Sequence, residues 1–246
     1  MKTHQQLPAT ACIALALACI TVPVGCKRED PQVAIAAQAA ASEQAASQAA
    51  AAFDSAVAEE NWHLAKAQAD VLLATWPGTP SAQRVRKQFD GVAAKAAAQR
   101  EQRRTAALWS YNSEPVKGGT QLSAAIYAQE EVDVDGSGDT PVRLIFRDHP
   151  AWGRSAYLVL QAGDFRCPGG CKVQVTVDGG APRAIAATRP QTDAAIAMFI
   201  EDEKSLWRMT QDATQVSIEF PTRDVGKRTA VFEVAGLDRS KLPGWD

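Results

Sequence analysis

The sequence predicts an α+β protein whose two kinds of structure are segregated. Ala-rich helices and a helical hairpin come first, then an all-β, sandwich-like domain with one short helix. Three observations carry that prediction. Residues 33–58 hold 14 alanines and neither Gly nor Pro, a composition that supports no regular structure other than helix. Apolar side chains then recur at helical spacing in Phe53, Val57, Leu64, Val71 and Leu72. From Trp109 onward the pattern changes to alternating or β-branched runs broken by Gly, Pro and Asp. A length of 246 residues suits one large or two modest domains. At 46% hydrophobic and 22% charged, the chain reads as neither wholly disordered nor a polytopic membrane protein. Its formal net charge of -2 lacks the basic excess of a general nucleic-acid binder, so no nucleic-acid partner is expected.

Residues 1–25 read as a signal peptide. Lys2 precedes an apolar run over 9–24, about the length of an h-region and short of the ~20 residues of a comfortable membrane span. The run ends in Val22-Pro23-Val24-Gly25-Cys26, and small or β-branched residues before a cysteine resemble the lipobox of bacterial lipoproteins. That resemblance implies that Cys26 takes a diacylglycerol, gains palmitate-type acyl chains and becomes the new N-terminus. Pro23 stands where the motif usually has Leu. Ala16-Leu17-Ala18-Cys19 offers a second candidate, Cys19, with a rather short apolar run before it. Ordinary cleavage to a soluble periplasmic protein is the alternative. The mature start, Cys26-Lys27-Arg28-Glu29-Asp30, lacks the Asp after the cysteine that resembles an inner-membrane retention signal. The expected location is therefore the cell envelope, anchored by lipid in the outer membrane and facing the periplasm. Several acyl chains hold far better than one, since each buried CH₂ contributes ~0.8 kcal/mol.

Residues 26–60 then read as lipid anchor and helical spacer, because large apolar side chains are nearly absent before Phe53. Over 33–58 a full helix at ~1.5 Å per residue would reach roughly 40 Å, and a frayed linker is the alternative. Residues 61–108 read as a helical hairpin, with Asn61 placed as an N-cap before Trp62. Asn61-Trp62, Ala65, Ala69, Leu72-Leu73, Trp76-Pro77 and Thr79-Pro80-Ser81-Ala82 together resemble one tetratricopeptide unit. One unit is too few for a solenoid, which needs about three, so an isolated hairpin or three-helix element is expected. Thr79 caps the next helix, with Pro80 at its first position. That stretch carries seven basic residues against Asp90 and Glu101, a charge that suits anionic lipid, peptidoglycan or an acidic partner, or simply a solvated helix face.

Residues 109–246 form the β-domain. Candidate strands are 122–128, 142–147, 156–160, 173–177, 184–187, 195–200, 216–220 and 230–234, a spacing that suggests a sandwich or open barrel. Asp202 is placed to cap a short helix presenting Leu206, Trp207 and Met209. Trp109-Ser110-Tyr111, Phe165-Arg166-Cys167, Cys171-Lys172-Val173-Gln174-Val175, Val177-Asp178-Gly179-Gly180, Met198-Phe199-Ile200 and Phe232-Glu233-Val234-Ala235-Gly236-Leu237 resemble a largely uncharacterised periplasmic β-domain of bacterial envelope proteins. It is similar to one in type VI secretion accessory proteins. The resemblance covers about 109–245 and implies an accessory role, with no catalytic residues to carry over.

Cys167 and Cys171 flank Pro168-Gly169-Gly170, and an even pair in an oxidising compartment reads as a disulfide. Three intervening residues do not make a C-x-x-C redox motif, and zinc would want two further ligands where His149 is the only histidine in this domain. Asp133, Asp135 and Asp139 alternate with small residues as calcium loops do, but position twelve is Leu144 instead of a bidentate Glu, so a solvated hairpin connection competes. No cofactor is expected. Among possible catalytic groups, only His63 and His149 remain after signal removal, and there is no G-x-S-x-G elbow. His149 reads as a turn residue, and Glu201 with Glu203 could serve a glycosidase only if the fold set them across a sugar. Trp109, Trp152, Trp207 and Trp245 read as core, or as an aromatic platform. The function expected is a non-enzymatic envelope lipoprotein, a periplasmic binding or accessory module for a secretion system, with an envelope protein as partner. The alternative is a periplasmic inhibitor or immunity protein against a toxic effector.

Overall fold

The computed structural model describes residues 30–191 and 196–245, so the expected signal peptide and lipidation site, with Cys19 and Cys26, lie outside the described residues. Among the described residues no helix is long and apolar enough to cross a membrane. Three helices come first among the described residues: α1 (Pro31–Ala58), α2 (Trp62–Thr75) and α3 (Pro80–Ala106). Each starts at a residue whose side chain satisfies an otherwise orphaned N–H. Asp30 accepts from Gln32, Asn61 from Leu64 and Thr79 from Ala82.

The sequence left α1 with little to pack, and here the structure differs. Ala46, Ala50, Phe53 and Ala56 are buried against Ala65, Ala69 and Leu72 of α2 and Ala82, Val85 and Val92 of α3. Alanines three and four apart form a narrow stripe on one helix face, and their small size lets the neighbouring helices come close. The C-terminal half of α1 is therefore a member of a three-helix bundle. Glu43 ties it to the start of α3 by accepting from the Ser81 hydroxyl at 2.6 Å, and Asp54 takes both ends of the Arg84 guanidinium at 2.9 and 2.8 Å. Residues 31–41 remain exposed throughout, Val33 and Ile35 included.

The β-domain contains β1 (Trp109–Val116), β2 (Gly119–Tyr127), β3 (Val132–Asp133), β4 (Asp139–Thr140), β5 (Val142–His149), β6 (Gly153–Leu160), β7 (Cys171–Val177) and β8 (Arg183–Thr188). β9 (Ala197–Ile200), α4 (Glu203–Met209), β10 (Gln215–Thr222), β11 (Gly226–Glu233) and two 3-10 turns complete it. The long strands form a single antiparallel sheet in the order β1-β2-β5-β6-β9-β8-β7-β10-β11, with β3 and β4 as a separate ribbon. The β-domain is thus one continuous sheet that bends over on itself, which fits the expected sandwich-like layering loosely. Its ends approach each other where the Gln129 N–H, just past β2, donates to the Val231 carbonyl of β11 at 2.7 Å. Buried and half-exposed residues alternate along β10, with Val216, Ile218 and Phe220 inward, as a sheet with one buried face requires. Asp202 caps α4 by accepting from the Ser205 N–H at 3.0 Å, and α4 lays Leu206 and Trp207 into the core. Phe146 sits among Trp109, Trp207 and Trp245 at ring distances of 6.3, 5.1 and 5.3 Å.

The helical bundle joins the sheet at a tight contact. A Cβ on Gly236 would overlap the backbone of Thr105 and Ala106 at the end of α3. Beside it, Arg104 bridges Glu101 and Glu233, both at 2.7 Å. The Arg104 guanidinium holds the Glu233 carboxyl below the usual carboxylate range. A depressed carboxylate contributes stability that is present above its unfolded pKa and lost as pH falls through the folded one. The gap in Tm between wild type and Arg104→Gln should therefore be widest at neutral pH and close as pH drops below the usual Glu value of about 4.3. A gap that stays constant through acid would contradict this role for the bridge.

Candidate binding cleft beside the disulfide

The segment between β6 and β7 leaves the sheet surface and returns through Cys167-Pro168-Gly169-Gly170-Cys171. Gly169 and Gly170 take φ of 68° and 107°, left-handed values that a side chain would strain, and the turn brings the two cysteines together in a disulfide with Cα atoms 5.1 Å apart. Cys167 is buried. A loop this short constrains little chain, so its entropic contribution should fall below the ~3 kcal/mol of a 15-residue loop. Unreduced protein should accordingly take no alkylating agent at Cys167 or Cys171; mass spectrometry finding both alkylated would exclude the linkage.

Asp164 anchors the same segment. It is 1% exposed and accepts from Arg189 at 3.1 Å and Arg223 at 2.9 Å, while its carbonyl takes the Arg223 N–H. Arg189 also donates to the Phe165 carbonyl at 3.0 Å, and the Arg166 N–H to the Pro221 carbonyl at 3.1 Å. A buried carboxylate persists only when paired and hydrogen-bonded, and these contacts supply both. Between the disulfide turn and the end of β8 lies an open cleft of about 540 Å³, walled by Phe165, Cys167, Pro168 and Pro190 with Arg166, Arg189 and Arg223 at its polar side. That volume falls within the ~300–1,000 Å³ usual for small-ligand sites, and mixed apolar and cationic walls suit a ligand with an apolar group and a carboxylate or similar anion.

The residues considered for catalysis are not gathered at this cleft. His149 Nδ1 accepts from the N–H groups of Ala151 and Trp152 at 3.1 and 3.3 Å, so the imidazole shapes the β5–β6 turn. Among the described residues no hydrogen bond joins it to a Ser, Cys or carboxylate. Glu201 accepts from the Thr188 hydroxyl at 2.6 Å, and Glu203 opens α4. At the weak calcium candidate the carboxylates are engaged within their own loop. Asp133 caps its own loop by accepting from Gly136 N–H at 2.7 Å, and Asp135 accepts from both the N–H and the hydroxyl of Ser137, which hold its carboxyl below the usual range. Asp139 pairs with Asp133 in the β3–β4 ribbon, and among the described residues no group of three or more metal-ligating side chains converges. Of the tryptophans, 109, 207 and 245 are core; Trp152 is 71% exposed and stacks on His149 at 3.9 Å.

Sequence reasoning reached the cysteines of the cleft but missed Asp164, Arg189 and Arg223. The ion pairs join residues 25 and 59 apart in the chain, and no local pattern signals such pairing. What the geometry defines is a class, a helical bundle docked on a curled antiparallel β-domain with a disulfide-framed cleft.

No family model and no curated protein matches the chain. A solved structure, the crystal structure of invasion associated protein B from Bartonella henselae, is similar at 18% identity and a TM-score of 0.36, over 52% of this chain and 84% of that one. A likeness this distant carries no functional inference.

Proposed function

We propose that this protein is a lipid-anchored cell-envelope protein whose β-domain is a non-enzymatic binding or accessory module in the periplasm, of the kind a secretion system uses. The observation that carries the reading is the cleft beside Cys167 and Cys171, braced on one side by the disulfide and on another by Asp164 with its two arginines. A rigid frame reduces the ordering cost of binding. Arg166 is exposed at the cleft, with no side-chain partner among the described residues, and is the group best placed to meet a partner's anion. The first turns of α1 are exposed and free of the bundle core, which supports a tethered domain.

The test uses the full chain expressed in its envelope. Labelling with a fatty-acid probe should mark wild type, and Cys26→Ala should lose both label and membrane sedimentation; labelling that survives would move the anchor to Cys19 or remove it. The mature chain should capture an envelope protein that Arg166→Glu no longer captures. Equal capture by Arg166→Glu would displace the binding face from the cleft.

A further inference from the structure

The sheet has a second face, turned away from the core. Residues alternate along a strand, so Ile126, Phe146, Leu158 and Met198 lie inward and the positions between them lie outward. Across β2, β5, β6 and β9 the outward positions hold no Asp, Glu or Lys. Among them are Tyr127, Arg143, Ile145, Arg147, Tyr157 and Phe199, none of which is buried. Aromatic residues and arginine enriched, with acids and lysine depleted, is the composition of the centre of an interface between proteins. We propose that this face docks another protein through a segment that presents carboxylates beside apolar side chains.

Three features support the assignment. First, the groups are held in place before a partner arrives. Arg147 lies over the Trp152 ring at 5.4 Å and the Tyr157 ring at 5.3 Å, and its Nε donates to the Ser155 hydroxyl at 3.2 Å. Tyr157 packs on Phe199 at 5.2 Å, and Arg143 lies over Tyr127 at 4.9 Å. Side chains already held lose little freedom on docking, and Trp, Tyr and Arg are the residues that most often dominate binding energy. Second, charge selects the partner. Among the described residues no ion pair joins Arg143 or Arg147 to a carboxylate. Asp148 takes the other side of β5 and lies against Gly244, and Glu201 accepts from the Thr188 hydroxyl at 2.6 Å. A second copy of this chain is disfavoured, because a self-complementary contact would set two such pairs of arginines in one interface with no acid on the face to answer them. Third, the shape suits a protein. Ile145, Tyr157 and Phe199 are half-exposed in the middle of the sheet, whereas an element that enters a membrane surface sinks an apolar face ~5–10 Å into the lipid.

The face shares no residue with the walls of the cleft, so the two readings fail separately. In the full chain expressed in its envelope, the photoreactive residue p-benzoylphenylalanine is placed at Tyr127 or Trp152 on the face, at Gln191 in the cleft, and at the exposed Val71 of α2 as control. After irradiation, mass spectrometry reads the peptide joined to each position. The face positions should join a different protein through a peptide that carries Asp or Glu, and Val71 should not join it. Arg147→Glu and, independently, Arg143→Glu, each with native circular dichroism, should lower that yield about tenfold or more, the effect of losing a residue at the centre of an interface. Joining to a second copy of this chain, to lipid or to a peptide without acids overturns the proposal. So does the same adduct from Val71, no adduct from the face, or a yield unchanged in the folded variants. Adducts from the face with none from Gln191 support this proposal and count against the cleft reading alone.

Discussion

Phe146→Ala should cost the β-domain about 3–5 kcal/mol, the range for deleting a fully buried aromatic and leaving a cavity. The side chain is 0% exposed and packs edge-on against Trp207 and Trp245 and more nearly parallel to Trp109, four rings drawn from β1, β5, α4 and the last turn of the chain. None of these neighbours can move in to fill the space without dragging a separate element. Since domains of this size hold only ~5–15 kcal/mol in total, the variant should unfold at a much lower urea concentration. Far-UV circular dichroism through a urea series measures it, and a loss under ~1.5 kcal/mol would mean that the aromatic cluster is not the centre of the core.

The second large effect is expected at Asp164. Breaking a buried ion pair by removing one partner costs about 3–5 kcal/mol when both are buried. Arg223 is half-exposed and can turn to water, so Asp164→Ala should lose less, about 2–4 kcal/mol, with most of it from Arg189, which is 17% exposed. The damage should be local as well as global: the loop carrying Phe165 and Arg166 loses its brace, and partner capture should fall with stability. Equilibrium unfolding together with capture by the folded fraction measures both. An Asp164→Ala protein of wild-type stability would show that the buried carboxylate is not what frames the cleft.

How much of this was legible in the sequence follows from how local each signal is. Caps at Asn61, Thr79 and Asp202 could be read directly, because a side chain that serves an N–H three residues on is a short-range pattern. β10 was legible for the same reason, through strict alternation, and β5 through its short apolar run Leu144-Ile145-Phe146. β1 was not: apart from Trp109 its side chains are exposed or half-exposed, and Pro115 argues against a strand anywhere but at an edge, which is where the sheet puts it. The packing of α1 was missed because alanine scores as a helix former before it scores as core. The cleft and the outward aromatic face depend on the sheet bringing distant residues together, and single-sequence patterns hold no record of that.

The central claim, that the β-domain acts by binding, is tested most directly by one alanine series on the mature chain. Asp133, Asp148, His149, Glu201, Asp202 and Glu203 are each replaced, and every folded variant is scored for partner capture and for release of soluble fragments from peptidoglycan. The expected result is no release by wild type and capture close to wild type in all six, since most interface positions cost under ~1 kcal/mol when truncated, whereas loss of a catalytic group costs several orders of magnitude in rate. Wild-type protein that cleaves peptidoglycan, with cleavage abolished in one folded variant, would contradict the binding-module account.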